Sequence, residues 1–179
     1  MSCTVHRLLR DSKPTEVSVN GAVIPRDTIA REAQHHPAAK PIEAWLSAAR
    51  ALVVRELLLQ QARRIGVAAT PLSDEYGRRE TEEDALIRCL IEHEVTTPAP
   101  DDETCRRYYE QRRRLFRSHD AEGADLPFSQ VAGRIATYLR ESVRRRAVAQ
   151  YIARLVSEAE ITGVALAGAE AHRVNHVPV

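Results

Sequence analysis

The sequence predicts a mainly α fold with a small two-stranded β element joining its N- and C-terminal regions. Three observations carry that expectation. The stretch from Pro41 to Gly66 holds apolar residues at helical spacing over its whole length. Two shorter stretches open with acidic residues, and a last long stretch, Phe128 to about Glu158, repeats the same spacing. Core material is aliphatic as well: 179 residues contain two Phe and one Trp, so Leu, Val, Ile and Ala must fill the interior.

The Pro41–Gly66 stretch is the spine. Ile42, Trp45, Leu46, Ala49, Leu52, Val53, Leu57, Ala62 and Ile65 recur every three or four residues. Pro41 suits a first turn, and Gly66, preceded by Arg63 and Arg64, suits a C-terminal stop. A helix of that length is a rod of about 36 Å, apolar enough to need neighbours on more than one side.

Ahead of it, residues 1–15 show no periodicity and read as a flexible lead. Glu16-Val17-Ser18-Val19-Asn20-Gly21 alternates like a short strand and ends in an Asn-Gly turn. Ile24 to Ala33 then reads as a short helix that stops before Pro37. Beyond the spine, Thr81 caps a second amphipathic helix that runs to about Val95, with Leu86, Ile87, Leu90 and Ile91 as its buried stripe. Thr97-Pro98-Ala99-Pro100 breaks it, and Asp101-Asp102-Glu103 opens a third helix that runs to about Phe116. Ser118 to Asp125 is a polar, acidic loop. The closing helix follows, with a face of Phe128, Val131, Ile135, Leu139, Val143, Ala147, Ile152 and Leu155. Ala159 to Val164 reads as a terminal strand, and 168–179 as a flexible tail. Residues 16–167 thus form one expected domain.

Composition narrows the function. Hydrophobic content of 44% with 28% charge is that of a soluble globular chain, and 26 basic against 25 acidic groups create no general attraction for a polyanion. Cys3, Cys89 and Cys105 share no ligand spacing. With no apolar targeting segment and no run long enough to span a membrane, a cytoplasmic location is expected. Neither a cofactor nor a metal is expected. His35-His36 and Glu92-His93-Glu94 lack the spacing of a metal motif and read as solvated surface. Arg112-Arg113-Arg114 and Arg144-Arg145-Arg146, with Tyr108 and Tyr109 nearby, have two readings. One is a stacking and phosphate-binding patch; the other, preferred because acidic residues adjoin the first run, is ion pairing on helix surfaces. No nucleophile motif or glycine-rich phosphate loop is present, so nothing reads as a catalytic centre. Trp45, Tyr108, Tyr109 and Phe116 read as core, or, if exposed together, as an apolar interaction surface.

The order of these pieces resembles the SurA, PrsA and parvulin-type foldases. The carrying segments are Val17-Ser18-Val19-Asn20-Gly21; Ala51-Leu52-Val53 through Leu57-Leu58-Leu59-Gln60-Gln61-Ala62 to Gly66; Asp102, Tyr108, Tyr109, Phe116 and Arg117; Leu126 to Leu139; and Ala159 to Gly163. The likeness extends over roughly Val17 to Leu166. In that family a parvulin isomerase domain lies between the Phe-Arg segment and the closing helix, whereas here only about 118–125 lies there, too short for a domain of at least ~50 residues.

The resemblance therefore implies a SurA-like helical chaperone module without its catalytic domain, binding unfolded or immature client polypeptides and doing no covalent chemistry. Trp45, Tyr108, Tyr109 and Phe116 are its candidate client-binding residues, and a homodimer could complete the apolar stripe of the spine. Nucleic acid and membrane are not expected partners. The alternatives are a peptidyl-prolyl isomerase, as family membership alone would imply, and a dedicated assembly factor for one respiratory or nitrogen-metabolism enzyme.

Overall fold

The computed structural model describes residues 16–117 and 125–166. The expected lead at 1–15, the tail at 168–179 and the acidic segment 118–124 lie outside the described residues. The chain is mainly helical, as expected, and carries a small antiparallel sheet. It divides into two compact units where the sequence suggests one domain. The first comprises the described residues of 1–94 and 149–179, and the second is Val95–Val148.

In the first unit, β1 (Val17–Val19) pairs antiparallel with both β2 (Ala22–Ile24) and β3 (Ile161–Thr162), giving the order β2-β1-β3. The sheet has three strands, not the two expected, and the reason is local. Asn20 and Gly21 both adopt positive φ, 48° and 82°, which makes the two-residue turn that folds a chain directly back on itself. Ala22–Ile24 therefore returns along β1, with Val19 opposite Ala22 and Val17 opposite Ile24. Pro25, extended at φ −61° and ψ 140°, ends that strand and delays α1 to Arg26–Glu32. The expected terminal strand forms as β3, pairing Val19 with Ile161, and the Ser18 and Thr162 hydroxyls lie 2.8 Å apart.

The spine is α2 (Pro41–Ile65), with Pro41 in its first turn. Gly66 closes it at φ 72°, and the N–H groups of Gly66 and Val67 donate to the carbonyls of Arg63 and Ala62. One face packs Trp45, Ala48, Ala49 and Val53 against Val17, Val19 and Ile29. Val54, Leu58 and Ala62 are buried too.

α3 (Glu82–Glu94) packs on α2 and buries Ala85 and Leu90. Arg55 of α2 reaches its first turn, donating to Asp84 at 2.6 Å and Glu83 at 2.9 Å. From α3, Arg88 holds the preceding loop through Glu80 at 3.1 Å and the Thr70 carbonyl at 2.7 Å.

α4 (Asp102–Gln111) begins at Asp101, whose side chain accepts from the Thr104 N–H at 2.8 Å. It is shorter than expected, giving way to a single 3-10 turn at Arg113–Leu115. α5 (Phe128–Glu158) starts and stops where the apolar spacing places it. Its burial is discontinuous, however. Val131 and Ile135 are buried near its start and Ile152 and Leu155 near its end, whereas Val143, expected on the buried face, is 44% exposed. Among the described residues, no helix is long and apolar enough to cross a membrane.

Candidate functional site

The second unit is built around aromatic rings. The whole chain has eight Phe, Trp and Tyr residues, and five of them stand in series here. Tyr138 lies 5.6 Å from Tyr108, Tyr108 lies 6.3 Å from Phe116, Phe116 lies 5.5 Å from Tyr109, and Tyr109 lies 5.7 Å from Phe128. α4 supplies Tyr108 and Tyr109, the turn after it supplies Phe116, and the first three turns of α5 supply Phe128 and Tyr138. These spacings and tilted or edge-on geometries are those in which aromatic pairs attract beyond simple burial.

The inner end of the series is a closed core. Tyr109 is 7% exposed and packs with Cys105, Val131 and Ile135, its hydroxyl donating to the Leu126 carbonyl at 2.7 Å. Burial pushes the Cys105 thiol's pKa up, which keeps it protonated and unreactive. Around this core the chain on either side of 118–124 is pinned together. The Leu126 N–H donates to the Phe116 carbonyl at 2.7 Å, and Arg117 faces Asp125 with an ion pair at 3.6 Å.

The outer end is open. A groove of about 430 Å³ runs over Tyr108, Phe116, Ile135 and Tyr138, with Arg117 and Arg134 on its rim. Tyr138 is 48% exposed and Leu115, beside it in the lining, is 66% exposed. Burial, and then the neighbouring Tyr138 hydroxyl, push the Tyr108 hydroxyl's pKa up, so it stays neutral across the physiological range. Arginines cover some ring faces and leave others bare. Arg106 stands 4.6 Å over Phe128, Arg112 stands 5.1 Å over Tyr108, and Arg113 stands 5.6 Å over Tyr109. Phe116 and Tyr138 carry no such cover among the described residues.

Of the four candidates read from the sequence, three come together here. Tyr108 and Phe116 line the groove, and Tyr109 supports it from behind. Trp45 does not join them: it is 2% exposed in the core of the first unit and offers no surface to a partner. Sequence reasoning missed Tyr138 and Leu115. The expected buried face of the closing helix passes from Ile135 to Leu139 and leaves Tyr138 out; the available signal was the crowding of scarce aromatics between 108 and 138.

The arginine runs do something other than the expected surface pairing. Among the described residues neither run makes an ion pair; Arg112 and Arg113 lie on tyrosine rings, and Arg144, Arg145 and Arg146 are exposed. His36 and His93 each contact one carboxylate, Glu32 and Glu94. Among the described residues no three His, Cys, Asp or Glu side chains gather to hold a metal.

A scan against protein-family models finds no match, and searches of curated proteins and of solved structures find no significant similarity.

Proposed function

We propose that this protein is a SurA-like chaperone module that reversibly binds unfolded or immature polypeptides and does no covalent chemistry. The observation that carries the reading is the groove beside Tyr138: an open aromatic surface, with Tyr138 half exposed, in a chain that has few aromatics. An incoming apolar side chain would cover Tyr138, Phe116 and Leu115 together. Each anchor fully buried contributes about 2 kcal/mol, and ordering a flexible client opposes it, so capture is weak and releasable.

Two further features support the reading. The segments that carry the family resemblance are the joints of this structure. Asn20 bonds to Gln60 at 2.8 Å and accepts from the Glu160 N–H at 2.9 Å, linking three of those segments at one point. The other two, around Tyr109 and Leu126–Phe128, meet in the aromatic cluster. In addition, the pinned chain ends at Arg117 and Asp125 are the arrangement a host needs if a domain can be inserted or lost there without disturbing its core.

The test is binding of a fluorescently labelled, permanently unfolded client followed by anisotropy. The native protein binds it, and Tyr138→Ala weakens binding by about tenfold, the loss of one well-buried anchor, while the circular dichroism spectrum is unchanged. Equal binding by the variant would remove the groove from the account. Acceleration in a proline isomerisation assay would favour the isomerase instead.

A further inference from the structure

The groove has a charge character as well as an apolar one. Its rim carries two arginines, and among the described residues no carboxylate lines it. Arg117 is partly satisfied by Asp125 at 3.6 Å, but Arg134, exposed on α5 one turn before Tyr138, has no ion-pair partner among the described residues. Two helical turns beyond Tyr138 on the same face stands Arg145, about 10 Å further along the axis and also exposed. The imbalance extends to the unit. Val95–Val148 holds eleven arginines against eight acidic residues, whereas the rest of the chain holds fifteen basic against seventeen acidic residues. Arg112 is occupied on the Tyr108 ring; Arg134 in the groove lining and Arg145, outside the lining and four residues after the exposed Glu141, are both exposed on α5.

We propose that the groove selects polypeptide segments in which an aromatic or aliphatic anchor is flanked by carboxylates. This deepens the client-binding reading and rests on it. The anchor fills the space over Phe116 and Tyr138, and Asp or Glu residues on either side of it meet Arg134 and Arg145. An extended peptide rises about 3.3 Å per residue, so carboxylates one or two residues before the anchor and three or so after it span the distance between the two arginines. Guanidinium groups suit this role because they offer paired donors to a carboxylate and remain charged at every physiological pH. A basic flank meets like charge and is rejected, which gives a neutral chain a preference among clients that its net charge does not suggest.

The test uses the full chain and short labelled peptides that share one Phe-Leu anchor and differ only in flanks of Glu, Gln or Lys. At low salt the Glu peptide binds about tenfold tighter than the Gln peptide, the sum of two exposed charge pairs, and the Lys peptide binds weakest. Raising the salt removes the difference between Glu and Gln peptides while leaving the Gln peptide's affinity in place. Arg134→Gln, an exposed substitution, reduces the Glu preference, read as the ratio of Glu-peptide to Gln-peptide affinity in the same variant. Equal affinity for Glu and Gln peptides would overturn the charge selection while leaving client binding standing. Failure of all three peptides to bind would remove both. A single-stranded RNA oligonucleotide that displaces the Glu peptide at lower concentration would overturn the proposal in favour of nucleic acid, for which rings and arginines are also a fitting surface.

Discussion

Asn20 shows how much can hang on one side chain. Its backbone N–H donates to the Glu160 carbonyl at 2.8 Å, its Nδ2 donates to Gln60 Oε1 at 2.8 Å, and its Oδ1 accepts from the Glu160 N–H at 2.9 Å. Gln60 in turn donates to the Val19 carbonyl at 3.2 Å. A left-handed φ of 48° is one that Asn tolerates and most other residues do not. Asn20→Ala removes both side-chain bonds and strains the turn, and it should lower stability by about 2 kcal/mol. Asn20→Gly keeps the turn and should lose about half as much, as read from urea unfolding. Equal loss in both variants would mean that the turn conformation, at least, is not under strain. Across the same joint Gly163 sits at φ 79°, where a Cβ would run into the Glu16 carbonyl, so this glycine is required by close approach as well as by conformation.

Between elements, the contacts that fix α3 and its leading loop are charged, and their pH response follows from their signs. Around Asp84, burial pulls the carboxyl's pKa up, but hydrogen bonds from Thr81 and Arg55 and the Arg55 charge outweigh it and hold it below the ordinary carboxylate range. For Glu80, the hydrogen bond from Arg88 is the largest influence, and its pKa is also lowered. A carboxylate depressed in the folded state adds stability that is fully present above the unfolded value of about 4 and is lost as pH falls through the folded value. The urea midpoint should therefore hold steady from neutral pH to about 5 and fall below about 4. Glu80→Gln should start lower at neutral pH and fall less on acidification; parallel pH curves for the two proteins would contradict this. Helix positions were legible in the sequence because long apolar periodicity and terminal signals agree: α5 and α2 run where Phe128, Glu158, Pro41 and Gly66 place them. β2 was not legible, because three residues between a turn and a proline carry too little pattern to tell a strand from the start of a helix.

Over the whole molecule, the sequence reading of the site was partial for a physical reason. Periodicity reports that a residue lies on an apolar stripe, but not where the stripe runs out of cover. Trp45 and Val143 both fall on such stripes, yet Trp45 is enclosed and Val143 is 44% exposed. Cover depends on contacts between separate stretches of chain, such as the hydrogen bond that joins Phe116 to Leu126, both in the groove lining. In the proposed account the aliphatic first unit supplies stability and the aromatic second unit supplies the binding surface. The most direct test is light scattering by a chemically unfolded client diluted into buffer with and without the protein, alongside a Leu115→Ala, Tyr138→Ala double variant. The account predicts suppression of aggregation by the native chain at near-equal molar ratio and loss of that suppression in the folded double variant. Failure to suppress aggregation of several unrelated clients, or equal suppression by the double variant, would contradict it.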